Sequence, residues 1–395
     1  MIDRLAIEER VREWGLREDV VEKDYVLGWV LWGIGSDPVL SGAWVFKGGT
    51  CLKKCFFETY RFSEDLDFTV LPGGPIRDAE LQPLLASMLD RVSQESGIDF
   101  SQRAPMLKTE RTGRYTEGRL YYQGPRRAPV AAIRLDLSSS EVMARPGVPR
   151  EISHPYPDGL PQPGTVLCYD FVEVFAEKTR ALGERCRPRD LYDVVNIYRR
   201  ADLRGDAHDV RTVLHAKCAS KGVAVPTLDA VLAKREELEN EWHNMLAHQL
   251  PLLPSADAFL AELGEVFAWL AGGRAVAPPR TIPIGCDEDA SWLPPATVTT
   301  WATRAPLETI RFAGTNRLCV ELGYKGSLRV IEPYSLRRTR AGKILLHAER
   351  ADTGEHRSYD ISLIESAKVL NRTFVPKYPI ELASGVLPTA RRGGR

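Results

Sequence analysis

The sequence predicts an α+β protein: a mixed strand–helix first part, a helical continuation, and a small all-β unit after it. Three observations predict this. Short apolar runs at Trp44–Phe46, Leu66–Val70 and Val130–Leu137 alternate with a helical period near residues 77–96. From Asp170 to about Leu270 the pattern is helical with interruptions. Beyond an aperiodic Gly/Pro/Ala stretch at 272–298 come short alternating strands, with Gly326, Gly342 and Gly354 in their turns.

The elements follow in order. Residues 3–36 read as two helices, the second carrying the apolar run Tyr25–Trp32 and ending near Gly33 and Gly35. A buried strand at Trp44–Phe46 runs into Gly48-Gly49, and a helix is expected from Thr50 to about Tyr60. The strand Leu66–Val70, a helix at 77–96, and strands near 98–109, 118–124 and 130–137 come next. The proline-bearing stretch 144–165 reads as a loop. The 25-residue stretch from Thr227 reads as the longest helix of the helical part. Five strands are expected at 318–322, 327–331, 343–348, 357–361 and 368–370. The expected domains are 1–205, a helical extension 206–271, a linker 272–300, a small β-barrel 301–384 and a basic tail 385–395.

Composition bounds the class. At 395 residues, two or three domains are expected. The 44% apolar and 27% charged content is that of a soluble globular protein. The net charge is zero, so no global field announces a nucleic-acid partner. No secretory h-region and no run of 18 apolar residues is present, so the expectation is a cytoplasmic chain without a membrane partner. Seven cysteines without a Cys-x-x-Cys pair argue for a reducing compartment and against structural zinc. Cys51 and Cys55 read as packing residues on one helix face.

The chemistry concentrates in KGGTCLKKCFFETYRFSEDLD, residues 47–67. Gly48 and Gly49 allow close backbone approach, and a helix start offers free N–H groups to a phosphate. Thr50 adds a hydroxyl donor or caps the helix. In Asp65-Leu66-Asp67, strand alternation puts both carboxylates on one face. Paired carboxylates repel unless a cation lies between them, and Mg2+ is held by such pairs together with substrate phosphates. Asp136, in IRLDL, reads equally as surface polarity or as a third carboxylate. Lys178 reads as an exposed lysine or as a point charge for triphosphate oxygens. Asp190 and Asp193 share a face after Pro188, where a structural charge network with Arg189 explains them nearly as well as catalysis.

The ordered series FKGGTCLKK, RFSEDLDF, IRLDLSSSE and FAEKTRALGERCRPRDLYDV resembles the AbiEii-type nucleotidyltransferase toxins, the MenT-like group, over about residues 10–205. VVEKDYVLGWVLW resembles that family's N-terminal region. The resemblance implies a nucleotidyltransferase fold related to DNA polymerase β. It implies transfer of a nucleoside monophosphate from an NTP, with Mg2+ or alternatively Mn2+, onto a tRNA 3′ end, another RNA or a protein. It places the chain in toxin–antitoxin or phage-defence systems, with a winged-helix antitoxin as partner. Carried over by position, Lys47, Gly48, Gly49, Thr50, Lys54 and Ser63 bind nucleotide. Asp65, Asp67 and Asp136 hold metal, Lys178 contacts the triphosphate, and Asp190 is a supporting acid.

NRLCVELGYKG onward is similar to WYL domains, SH3-like barrels that bind ligands or nucleic acid, although the WYL tripeptide is absent. Between Arg311 and Glu381 there are 13 Lys/Arg and 8 Asp/Glu. Tyr334, Arg337, Arg338 and Arg340 mark either an RNA or ligand surface or a solvated charged hairpin. Two other functions use similar parts: a nucleotide-binding regulator without turnover, and a kinase-like enzyme that moves the γ-phosphoryl group.

Overall fold

The computed structural model describes all residues except 58–59, 276–279, 284, 290, 293, 295–305 and 383–395. The linker expected at 272–300 lies partly, and the basic tail wholly, outside the described residues. The chain forms two compact units. The first comprises Met1–Arg185 and Ala201–Pro226; the second comprises Cys186–Arg200 and the described residues from Thr227 onward.

The first unit begins with helices α1 (Arg4–Trp14), α2 (Glu18–Gly35) and α3 (Leu40–Ala43). Strand β1 (Trp44–Lys47) leads directly into α4 (Gly48–Cys51). A five-residue π turn, Leu52–Phe56, continues it, so the helix expected to reach Tyr60 stops at Phe56. After β2 (Asp65–Val70) and α5 (Asp78–Ser96) come β3 (Met106–Thr109), β4 (Tyr115–Tyr122), β5 (Ala131–Ser138), β6 (Val148–Glu151) and β7 (Thr165–Cys168). Strand β6 lies inside the stretch read as a loop. Helix α6 (Phe171–Arg185) closes this part, and α8 (Ala207–Lys221) packs against α6 after the intervening α7 (Pro188–Arg199).

The seven strands form one sheet in the order β3-β4-β5-β2-β1-β7-β6. Strands β1 and β2 are antiparallel, whereas β2 and β5 are parallel. Register decides which side chains share a face. One row runs Lys47, Asp67, Asp136, Glu117 and Lys108; the next runs Phe46, Phe68, Leu137 and Thr116. Adjacent rows point to opposite faces. Phe46, Phe68 and Leu137 are fully buried. Burying each such side chain contributes about 1.5–3 kcal/mol, which holds the polar row on the other face.

In the second unit, α7 packs with α10 (Arg235–Leu246) and α11 (Ala256–Leu270). Tyr192 stacks on Phe259 with ring centroids 5.1 Å apart, and Phe259 also meets Trp242. Helix α7 thus belongs to the second unit, whereas the expected first domain runs to residue 205. The helix expected from Thr227 is broken: Thr227 caps a five-residue α9 (Leu228–Leu232), and α10 starts anew after Lys234. Helix α12 (Leu307–Thr315) precedes β8 (Leu318–Tyr324), β9 (Ser327–Arg338), β10 (Ile344–Arg350), β11 (His356–Asp360) and β12 (Ile364–Thr373). These form an antiparallel sheet in the order β11-β10-β9-β8-β12. The all-β end expected from the sequence is therefore present.

Candidate active site

The site is assembled on the polar face of the first unit's sheet. Gly48 leaves β1 with φ +82°, a left-handed conformation that L side chains rarely adopt. A Cβ there would collide with Asp67 Oδ2, so the bare backbone lies directly against the second carboxylate. A side chain at Gly49 would meet the Arg61 guanidinium and come 3.1 Å from Ser63 Oγ, which places Ser63 beside the turn. Thr50 Oγ1 donates to the Asp65 carbonyl at 2.5 Å and ties α4 to the strand carrying the Asp pair. Gly48→Ala is expected to cost about 1–2 kcal/mol from backbone strain alone. By displacing Asp67 it should also lower transfer on the order of 10²-fold. Thermal melts and transfer rates beside Gly42→Ala, where an added Cβ meets nothing within 4 Å, check this.

Asp65 and Asp67 are both partly exposed on β2, and Asp136 lies directly across from Asp67 on β5. Burial raises the Asp67 carboxyl pKa. Lys47 opposes that shift, Asp136 and Asp65 add to it, and Lys178 lowers it again; the net direction is upward. Asp136 accepts from the Tyr115 hydroxyl at 2.8 Å and pairs with Arg134 at 3.1 Å. The three aspartates suit a divalent cation, because a positive charge among them would offset burial and relieve the repulsion that adds to the rise of Asp67.

Lys47 and Lys178 bring positive charge to Asp67. Lys178, on α6, is buried rather than an ordinary exposed lysine. Lys47 Nζ also pairs with Glu141 at 3.2 Å, and Glu141 meets Lys221 at 3.4 Å. Burial opposes the Glu141 charge, but Lys47 and Lys221 hold its carboxyl below the usual range. Sequence reasoning missed Glu141, although it closes the same IRLDLSSSE motif. Beneath it, Lys217 bridges Glu173 at 2.7 Å and Glu177 at 3.3 Å. Glu173 accepts from the backbone N–H of Ala144 and Arg145. This fixes the segment after β5 that carries Glu141.

Several expected site residues are held otherwise than the sequence suggests. Lys54 is 1% exposed, and its ammonium donates to the Asp24 carboxylate at 2.7 Å and to the Asp24 carbonyl at 2.8 Å. Tyr156 donates to the same carboxylate at 3.0 Å. Lys54 is thus a buried structural cation and not a free nucleotide contact. Asp190 belongs to the second unit, where it is fully buried near the start of α7. The expected surface at Tyr334 also fails: Tyr334 is fully buried and donates to Glu332 at 2.8 Å. Arg337 pairs with Glu381, and Arg338 pairs with Asp289 at 2.8 Å. Of that cluster, Arg340 is exposed.

The model of the family described as nucleotidyl transferase AbiEii toxin, type IV toxin–antitoxin system, matches residues 29–263, more than half of the chain and all of the β1–α4–β2 site. The chain belongs to the AbiEii nucleotidyltransferase toxin family. It is therefore a nucleotidyltransferase, of a family that uses NTPs and a divalent metal and pairs with antitoxins. MenT4, a nucleotidyltransferase toxin from Mycobacterium tuberculosis H37Rv, is similar in structure at 21% identity and a TM-score of 0.49, covering 70% of this chain and 91% of its own. JHP933 from Helicobacter pylori is similar at 16% identity and a TM-score of 0.44, covering 65% of this chain and 94% of its own. No curated protein matches the chain in sequence. Among the described residues, no helix of this AbiEii family member is long and apolar enough to cross a membrane.

Proposed function

We propose that this AbiEii family member transfers NMP from an NTP to an RNA acceptor, with a tRNA 3′ end as the preferred class. Mg2+ is the proposed ion, and the chain is proposed as the toxin of a type IV-like toxin–antitoxin or phage-defence system. The observation that carries the reading is the row Lys47–Asp67–Asp136 beside Gly48, where a glycine with positive φ abuts a carboxylate raised by burial and by its acidic neighbours.

Asp65, Asp67 and Asp136 would hold the metal. When bound, the metal neutralises triphosphate charge and favours ionisation of the attacking hydroxyl. Gly48, Gly49 and Thr50 admit the phosphates at the turn, and Ser63 lines it. Lys47 and Lys178 place positive charge where the departing pyrophosphate accumulates negative charge. Glu141 and Lys221 keep the Lys47 ammonium from swinging away. Attack is in line at the α-phosphorus. Asp190 is proposed as a supporting acid on the family resemblance alone. The second unit's sheet, with its resemblance to WYL domains, is proposed to recognise a ligand or RNA. The excess of five positive charges between Arg311 and Glu381 (13 against 8) supports that role.

Incubation of the full chain with α- or γ-labelled NTP, Mg2+ and total RNA tests the reaction. Expected is α-label in RNA and released pyrophosphate, both abolished by EDTA. Label transferred only from the γ-position would assign a kinase instead. Tyr115→Phe removes the hydrogen bond that orients Asp136 and is expected to lower transfer about 10–100-fold, chiefly through weaker metal affinity. Titrating Mg2+ against rate in both proteins checks this.

A further inference from the structure

The first unit holds a second cluster of ligand-type side chains, with no part in the proposed reaction. The sulfurs of Cys51, Cys55 and Cys168 all lie within 4.8 Å of one another, and each residue is 0% exposed. Among the described residues this is the one group of three or more His, Cys, Asp or Glu whose ligand atoms come that close together; the aspartates of the active site are spread more widely. Cys51 ends α4, Cys55 lies in the π turn, and Cys168 ends β7, where it pairs with Phe46 of β1. Phe56 lies beside them, 5.1 Å from Phe171, with the Arg150 guanidinium over its ring at 4.8 Å.

We propose that Cys51, Cys55 and Cys168 form a binding site for a single soft monovalent cation, Cu(I). Thiolate sulfur selects soft ions. Zn2+ sites are almost always four-coordinate, and this cluster offers three sulfurs, all fully buried. Cu(I) is satisfied by a trigonal set of three sulfurs. Binding breaks S–H bonds and forms S–Cu bonds. The displaced protons go to solvent, and no atom changes oxidation state. An occupied site clamps the helix that starts at Gly48 onto strand β7.

The test is anaerobic titration of the full chain with Cu(I) against a coloured Cu(I) chelator, bicinchoninate. Expected is one equivalent held by the parent chain and by Cys286→Ser, which removes the exposed thiol. The X-ray absorption spectrum should show a sulfur-only first shell. Cys168→Ala and Cys51→Ala should each hold less than a tenth as much, with circular dichroism unchanged. If either variant misfolds, the parent chain still decides, through its stoichiometry and its sulfur shell. No uptake by the folded parent chain, nitrogen or oxygen in the first shell, or uptake unchanged in folded Cys168→Ala would overturn the site and leave the three thiols as packing.

Discussion

Asp67→Asn is expected to lose nucleotidyl transfer by on the order of 10³-fold, the scale on which single charge-stabilising groups act at developing charge, while melting no lower than the parent chain in metal-free buffer. The two halves have one cause. Burial, Asp136 and Asp65 raise the folded-state pKa of Asp67 despite Lys47 and Lys178. A carboxyl raised on folding binds its proton more tightly in the folded state than in the unfolded one. Stability therefore falls as pH climbs above the ordinary carboxylate value. Asn removes that cost and also removes the ligand. Asp65→Asn should lose transfer to a similar degree, because it shares the face. Rates with α-labelled NTP, paired with melts in EDTA, read both quantities. Transfer within tenfold of the parent in both variants would overturn the assignment of the Asp pair. A lowered melting temperature would show that Asp67 supports the fold.

The parts of this site that could be read from sequence are the local ones. Alternation in Asp65-Leu66-Asp67 puts two carboxylates on one face whatever the strand pairs with, and Gly48 marks a backbone that needs freedom. The partnership of Asp67 with Asp136 depends on a parallel crossover about 70 residues long, which no local period reports. Cys168 escaped for the same reason: β7 borders the proline-bearing stretch, far from Cys51 and Cys55 in sequence. Tyr334 was misread differently. Residues Ile331–Leu336 of β9 are all buried, and a strand covered on both faces loses the alternation that separates inside from outside. The neighbouring arginines suggested a surface, yet Arg337 and Arg338 are matched by Glu381 and Asp289, which approach from distant positions. The Thr227 helix breaks at Lys234 without the glycine or proline that announces a helix end.

Lys54 separates resemblance from geometry most sharply, because the two readings predict different phenotypes for Lys54→Met. A lysine that only contacts nucleotide would leave the melting temperature unchanged and raise KM for NTP. In the structure its ammonium is the partner of buried Asp24, whose carboxyl is held below its usual range by Lys54 and Lys53 against the pull of burial. Removing Lys54 leaves that carboxylate uncompensated in the interior, at a cost of about 3–5 kcal/mol. The melting temperature should drop on the order of 10 °C. Lys54→Met combined with Asp24→Asn removes both charges and should recover part of the loss, since the two sites are in direct contact and their effects do not add. Tyr156, which donates to the Asp24 carboxylate, keeps an acceptor in the double variant, because the amide that Asp24→Asn introduces retains one carbonyl oxygen. KM for NTP measured well below the melting transition should stay within about twofold of the parent, the range expected when no substrate contact is lost. A stable Lys54→Met with a tenfold higher KM would return Lys54 to the nucleotide site. A destabilised variant with normal KM places it in the scaffold behind the Gly48 turn, where the buried pair anchors the π turn from beneath.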